Sequence, residues 1–283
     1  LKPYVGRLAL QDAATMPDFE TLSLEQVSDH LMLVYLDRPE ARNAMNTQMG
    51  LDLRDLWQQL YVEPGDLRCI VVTGRGDKAF CAGGDLKERN GMTDEQWQRQ
   101  HAIFEQAVLA LLECPVPVIA AVNGAAYGGG TEIALCCDFI YAAESARFAL
   151  TEITLGIIPG AMGTQNLPRA VGDRRAKEVI LTGQPFTAEQ AQTWGMVNQV
   201  CSDESLLEQT LAVGQRIADN APLSTRRAKR VISVAREVDL HSGYALELEA
   251  YNRLVPTEDR LEGVRAFNEK RKPNFKALSL IHI

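Results

Sequence analysis

No apolar run in this 283-residue chain approaches the roughly 20 residues that a membrane-spanning helix needs. Residues 1–18 also lack the charged start and apolar core of a secretory signal. Positive charge is scarce: 29 Lys and Arg against 37 Asp and Glu leave a net −8, which disfavours general affinity for nucleic acid or anionic membrane but leaves room for a local basic pocket. The six cysteines (Cys69, Cys81, Cys114, Cys136, Cys137, Cys201) contain no CxxC and no metal spacing, and their neighbours are mostly apolar. They read as reduced core thiols, which points to a reducing compartment and a cytoplasmic default. The four histidines (His30, His101, His241, His282) form neither HxH nor HExxH, so structural or exposed roles are expected and no metal site is. There is no GxSxG, no GxxxxGK[ST] and no GxGxxG after a strand, which excludes the usual serine-hydrolase, phosphate-loop and dinucleotide signatures. No fixed-period repeat and no linker rich in proline, glycine or serine divides the chain.

What is present is a chain that is 46% hydrophobic, enough for one large core. Residues 19–24 and 31–36 read as short strands, and Asp37-Arg38-Pro39 breaks the pattern. From Asn43, the residues Met45, Met49, Leu53, Leu56, Trp57 and Leu60 fall near helical spacing until the turn at Pro64-Gly65. A buried strand is expected over 67–73, followed by a loop in which Arg75-Gly76-Asp77 is turn chemistry. Thr93 and Gln96 form a capping box for a helix to about Glu113, with Phe104, Val108 and Leu111 on one face. After Gln165 the pattern is mostly helical: Asp173 and the pair Thr187/Gln190 are candidate caps, 197–200 is a last strand, and helices follow from about 203. The apolar face of that helical tail needs a partner surface, either its own core or a neighbouring subunit.

Residues 121–165 carry the chemistry. A buried strand ends at Asn123-Gly124, and Gly128, Gly129 and Gly130 precede a helical pattern that begins at Thr131. Successive glycines let backbone approach a ligand closely, and the first N–H groups of a helix favour an anion. Glu132 stands alone on an apolar helix and Glu152 follows. Glycine triplets also serve as flexible turns and most helical glutamates are solvated, but a carboxyl with so few polar neighbours is expected to be partly buried and retained for pairing or function. The run 78–87 offers a second glycine-rich place where backbone meets a ligand.

FCAGGDLKE at 80–88, AVNGAAYGGGTEIALCCD at 121–138 and TEITLGIIPGAMGTQ at 151–165 together resemble the enoyl-CoA hydratase/isomerase (crotonase) family. The resemblance extends from about 19 to 276 and includes the ending Phe267-Asn268-Glu269-Lys270-Arg271-Lys272. It is greatest toward the hydratases, including the methylglutaconyl-CoA hydratase branch that doubles as an AU-rich-RNA binder in animals. The resemblance implies an α/β fold: a crotonase-like spiral of strand-strand-helix units over 19–202, an N-terminal extension over 1–18, and a helical trimerisation part over 203–283. It implies an oxyanion hole from the N–H groups of Cys81 and Gly129. Glu132 would activate water and Glu152 would protonate the α carbon, a pairing that favours hydration over isomerisation. Other acyl-CoA dehydratase or hydrolase activities are the alternatives.

The family's CoA grip falls on Arg42, Ala44, Ala82, Gly83, Gly84, Asp85, Leu86 and Lys87, with Phe267 and Lys270 reaching in from an adjacent subunit. An acyl-CoA partner, a homotrimer or homohexamer, and no cofactor beyond the substrate's own coenzyme A follow from the same resemblance. The RNA-binding member's lysine-rich helix has no counterpart here: between 61 and 80 the charges Arg68, Arg75 and Lys78 are balanced by Glu63, Asp66 and Asp77. Three positions depart from the family pattern, Thr151 for proline, Met162 for glycine and Gly84 for alanine. Met162 is expected to add bulk near the acyl pocket.

Overall fold

Through the middle of the chain, successive strands are dealt alternately into two sheets. In a computed structural model, which describes residues 18–277, β1 (Leu22–Ser28) and β2 (Leu31–Leu36) form an antiparallel hairpin with Leu22 opposite Leu36. Helix α1 (Thr47–Val62) leads to β3 (Cys69–Gly74), parallel to β2, and β4 (Ala79–Cys81) then leaves for a second sheet. Helices α2 (Leu86–Arg89) and α3 (Asp94–Glu113) complete the unit. The next unit repeats it: β5 (Val118–Val122) joins the first sheet, β6 (Ala125–Tyr127) the second, and α4 (Gly129–Cys136) follows. The third is β7 (Phe139–Ala143), β8 (Arg147–Ala149), α5 (Gly163–Val171) and α6 (Asp173–Thr182). Finally β9 (Phe186–Thr187), α7 (Ala188–Thr193) and β10 (Gln199–Cys201) close the sheets, in the orders β1-β2-β3-β5-β7-β10 and β4-β6-β8-β9. Each strand-strand-helix unit advances one place in both sheets, which is the expected α/β spiral.

Sequence determines these elements locally. Every residue of β3 and β5 is buried, as an apolar run requires in a parallel sheet covered on both faces. The capping boxes Thr93/Gln96 and Thr187/Gln190 both form, and each fixes a helix start with two reciprocal hydrogen bonds. Other expectations shift. The first strand starts at Leu22, because Thr21 is held outside it by its N–H and hydroxyl on the Asp52 carboxylate of α1 at 2.8 and 2.7 Å. Helix α4 starts at Gly129, two residues before Thr131. Asp173 is the first residue of α6, not its cap; Gly172 takes that place, and Asp173 contributes charge to the first turn. The last strand lies at Gln199–Cys201, with Val197 buried just ahead of it.

Beyond the sheets, α8 (Leu206–Ala218) packs against β2, β3, β5, β7 and β10, and α9 (Pro222–Val234), α10 (Leu240–Leu254) and α11 (Glu258–Asn268) follow. Helix α10 buries none of its own residues. Leu240, Tyr244 and Tyr251 stand exposed on it, as does Phe267 on α11, so these apolar residues, unlike those of α8, are not absorbed by the chain's own core. The described end of the chain is tied back by Asp259, whose carboxylate accepts from the N–H of Lys276 and Ala277. The expected extension over 1–18 lies, Asp18 apart, outside the described residues, as do 278–283. Among the described residues no helix is long and apolar enough to cross a membrane.

Candidate active site

The segment after β4 and the segment before α1 are stitched into one strip. Met45 N–H donates to Gly83 O at 2.8 Å, Asp85 N–H to Met45 O at 2.9 Å and Ala82 N–H to Arg42 O at 3.1 Å. Arg42, Ala44 and Ala82 to Lys87 are thereby brought together, with Arg42, Leu86 and Lys87 exposed. Asp85 faces inward: its carboxylate caps α2 and pairs with Arg38 at 3.0 Å. Partial burial opposes its ionisation, but the Arg38 guanidinium and the helix N–H groups outweigh it and hold the carboxyl below the usual range. Phe267 and Lys270 lie apart on the exposed tail, and Arg271 beside them is already paired with Glu262 and Glu269.

Asn43 locks the strip in place. It is fully buried with φ 55°, accepts from Arg38 N–H at 3.0 Å, and donates to Arg75 O and Ala79 O at 3.0 and 2.8 Å. Asn43→Ala is expected to cost about 2–4 kcal/mol, by leaving buried groups unpaired and placing a side chain in the left-handed region. Asn43→Gly keeps that conformation and should recover about 1 kcal/mol of the loss. Urea unfolding of both variants checks this, and equal stabilities would remove the backbone contribution.

The start of α4 is seated on the end of β4. A Cβ on Gly130 would stand 2.1 Å from Cys81 O, and one on Gly83 would stand 2.8 Å from Tyr127 O, so these backbones meet where side chains have no room. Gly128 caps the helix at φ 51°, ψ −122°, and Gly129 is its first residue, whose N–H a helix leaves without an internal acceptor. The Cys81 thiol is fully buried, and burial pushes it up to about 12, which removes it as a nucleophile.

Both carboxyls face the same cleft. Glu132 is 3% exposed, and its Oε1 accepts from the N–H groups of Ala161 and Gly163, both at 2.8 Å. Burial pushes its carboxyl up to about 7; the two amides oppose the rise and the Glu152 charge adds to it. Met162, between those amides, holds φ 75° and caps α5, and it does not line the cleft, contrary to the expectation of bulk there. Its importance lies in the backbone turn that delivers both N–H groups to Glu132. Glu152 begins a 3₁₀ turn over Glu152–Leu155; its Oε2 is buried with no hydrogen-bond partner among the described residues. Burial raises its carboxyl too, while a backbone bond and the Arg89 charge hold it down. Two raised carboxyls in one site can share a single proton near neutral pH.

The cleft measures about 700 Å³ with its open mouth and is lined by Ala82, Gly83, Gly84 and Leu86 of the strip, though not by Arg42, Ala44, Asp85 or Lys87, by both glutamates and Gly129, and by residues outside the sequence-based candidates: Arg89, Trp97, His101, Leu155, Ile157 and Ile158. Arg89 directly follows the FCAGGDLKE motif, its one signal in the sequence; His101, for which the sequence suggests a structural or exposed role, lines the cleft. A second, apolar cavity between α1, α3 and α4 shares Met45, Phe104 and Ala161 with the cleft.

Two carboxyls raised by burial thus meet the N-terminus of α4 in one cleft of a two-sheet α/β spiral. The enoyl-CoA hydratase/isomerase family model matches residues 26–278, and the chain belongs to that family. It is 39% identical to the mitochondrial enoyl-CoA hydratase of Pongo abelii, over 98% of this chain and 94% of that one. It is also 39% identical to the 2,3-dehydroadipyl-CoA hydratase of Escherichia coli, over 87% and 95%. The crystal structure of an enoyl-CoA hydratase from Bacillus anthracis superposes with a TM-score of 0.89 at 43% identity, covering 91% of this chain and all of that one.

Proposed function

We propose that this protein is an enoyl-CoA hydratase, a lyase that adds water across the α,β double bond of an acyl-CoA thioester. The observation that carries the reading is the pair Glu132 and Glu152 in one cleft with the N-terminus of α4. The thioester oxygen accepts hydrogen bonds from the N–H groups of Cys81 and Gly129, which strengthen as the carbonyl becomes an enolate. Glu132 takes a proton from water as its oxygen bonds to the β carbon. Glu152 gives its proton to the α carbon, and proton exchange with solvent resets the pair. The sum is one enoyl thioester plus one water giving one β-hydroxyacyl thioester, with no cofactor beyond the substrate's coenzyme A.

The strip around Arg42, Ala44 and Ala82 to Lys87 is proposed to hold the CoA moiety, Arg42 and Lys87 answering its phosphates. The exposed apolar residues of α10 and α11 support a trimer or hexamer in which Phe267 and Lys270 reach a neighbour's site. Six free, buried cysteines suit a reducing, cytoplasmic setting. The test is a panel of short, branched and aromatic enoyl-CoA esters, with loss of conjugated absorbance as the readout and product mass gaining one water. Failure on every ester would defeat the reading, and a product of unchanged mass would make the protein an isomerase. The same preparation should sediment as three or six chains.

A further inference from the structure

One cationic side chain in the cleft, Arg89, forms no direct ion pair among the described residues. Arg89 ends α2 half-buried, and among the described residues no carboxylate lies within 4 Å of it. Its Nε donates to Gln100 Oε1 at 2.7 Å. Gln100 is itself 3% exposed and is fixed in turn by donating to Glu88 Oε2 at 2.7 Å and Thr47 Oγ1 at 2.8 Å. The guanidinium lies 4.3 Å from the ring centre of Trp97 and 5.5 Å from that of Phe104. Its direction is therefore set by a buried amide and two aromatic rings, while its terminal nitrogens have no protein acceptor among the described residues. Glu88 and Glu152 act on the guanidinium through charge, but neither pairs with it directly and its partial burial outweighs both, so an acceptor that completes the fork would be favoured.

Gly84 belongs to the same construction. A Cβ there would stand 3.0 Å from Arg89 Nη1, closer than such contacts normally come, so the missing methyl makes room for the guanidinium. His101 lines the same cleft, and the carboxyls lining it are Glu132 and Glu152. We propose that Arg89, given room by Gly84, receives a second carboxylate at the far end of the acyl chain, so that the substrate is an enoyl-CoA whose acyl group is a dicarboxylic half-thioester. A planar fork held by its Nε presents its terminal N–H groups to a carboxylate in the geometry such pairs prefer. This assignment rests on the hydratase reading and specifies its substrate.

The experiment compares α,β-unsaturated CoA esters of five and six acyl carbons with and without a terminal carboxylate, in wild type, Arg89→Met, Arg89→Lys and Gly84→Ala. Wild type is expected to favour the carboxylated ester in kcat/KM. Arg89→Met should lower that preference by about 10- to 100-fold, the loss of a charge-assisted pair. Arg89→Lys should recover part of it, and Gly84→Ala should erode it through displacement of the fork. Wild type that hydrates only the neutral esters overturns the carboxylate site and leaves the hydratase reading standing. Hydration of none of them defeats both. An equal loss on both ester types in Arg89→Met, with an alkaline limb of the pH profile that moves, makes Arg89 a tuner of Glu152. An equal rise in KM for every ester makes it part of the CoA grip. Either result overturns the proposal.

Discussion

Replacing Glu152 with glutamine is expected to lower kcat for hydration by about 10³-fold with little change in KM, a magnitude in the range of a lost general acid. Glutamine keeps the shape and hydrogen-bonding length of the side chain but cannot deliver a proton to the α carbon. The fold should tolerate the change, since Glu152 Oε2 has no protein donor to lose among the described residues. Single-turnover kinetics separate chemistry from release, and exchange of the α hydrogen in deuterated buffer reads the same proton directly. Retention of activity within about tenfold would exclude Glu152 as the donor.

The pH dependence carries a definite sign. Both carboxyls are raised by burial, Glu132 to about 7, and the working state has one proton between them. At low pH both are protonated and no base remains; at high pH both are ionised and no acid remains. Wild type should thus show a bell-shaped profile, and Glu152→Gln should lose its alkaline limb along with most of its rate.

The residues visible in the sequence and those that were not differ in a physical way. Helix α3 was legible because Thr93, Gln96, Phe104, Val108 and Leu111 display a cap and a 3.6-residue period over many turns. Most of the second sheet was illegible because Ala125–Tyr127 and Arg147–Ala149 are three residues each, too short for a period of two to show. Glu132 stood out as the lone acid on an apolar helix, yet its partners are the N–H groups of Ala161 and Gly163, and backbone donors leave no mark in a sequence. Arg89 looks like one more charge after Lys87; only the packing of α2 against α3 turns it onto Trp97 and Gln100 and into the cleft. Gly84, which reads as a mild departure from alanine, gains meaning only once Nη1 of Arg89 is seen beside it.

Glu132→Gln is expected to be nearly inactive, down by about 10²- to 10⁴-fold, and yet more stable than wild type at alkaline pH. The carboxyl is pushed from 4.5 to about 7 in the folded chain, chiefly by burial. A group whose folded value is raised contributes stability that is fully present below its unfolded value and is lost as pH rises through the folded one. For Glu132 that loss runs from about pH 4.5 to about pH 7 and beyond, and it amounts to about 3 kcal/mol. Glutamine has no charge to bury, and its Oε1 can still accept from Ala161 and Gly163, so the variant should escape the loss. Urea unfolding at about pH 5 and pH 8, at one fixed protein concentration because assembly contributes to stability, should show the variant's advantage growing with pH. A constant difference across that range would mean that Glu132 does not carry a burial-raised proton. A variant less stable at both pH values would mean that the two amides require the carboxylate itself. The expected pattern, stability gained where activity is lost, would identify Glu132 as a group kept in a costly place for its chemistry.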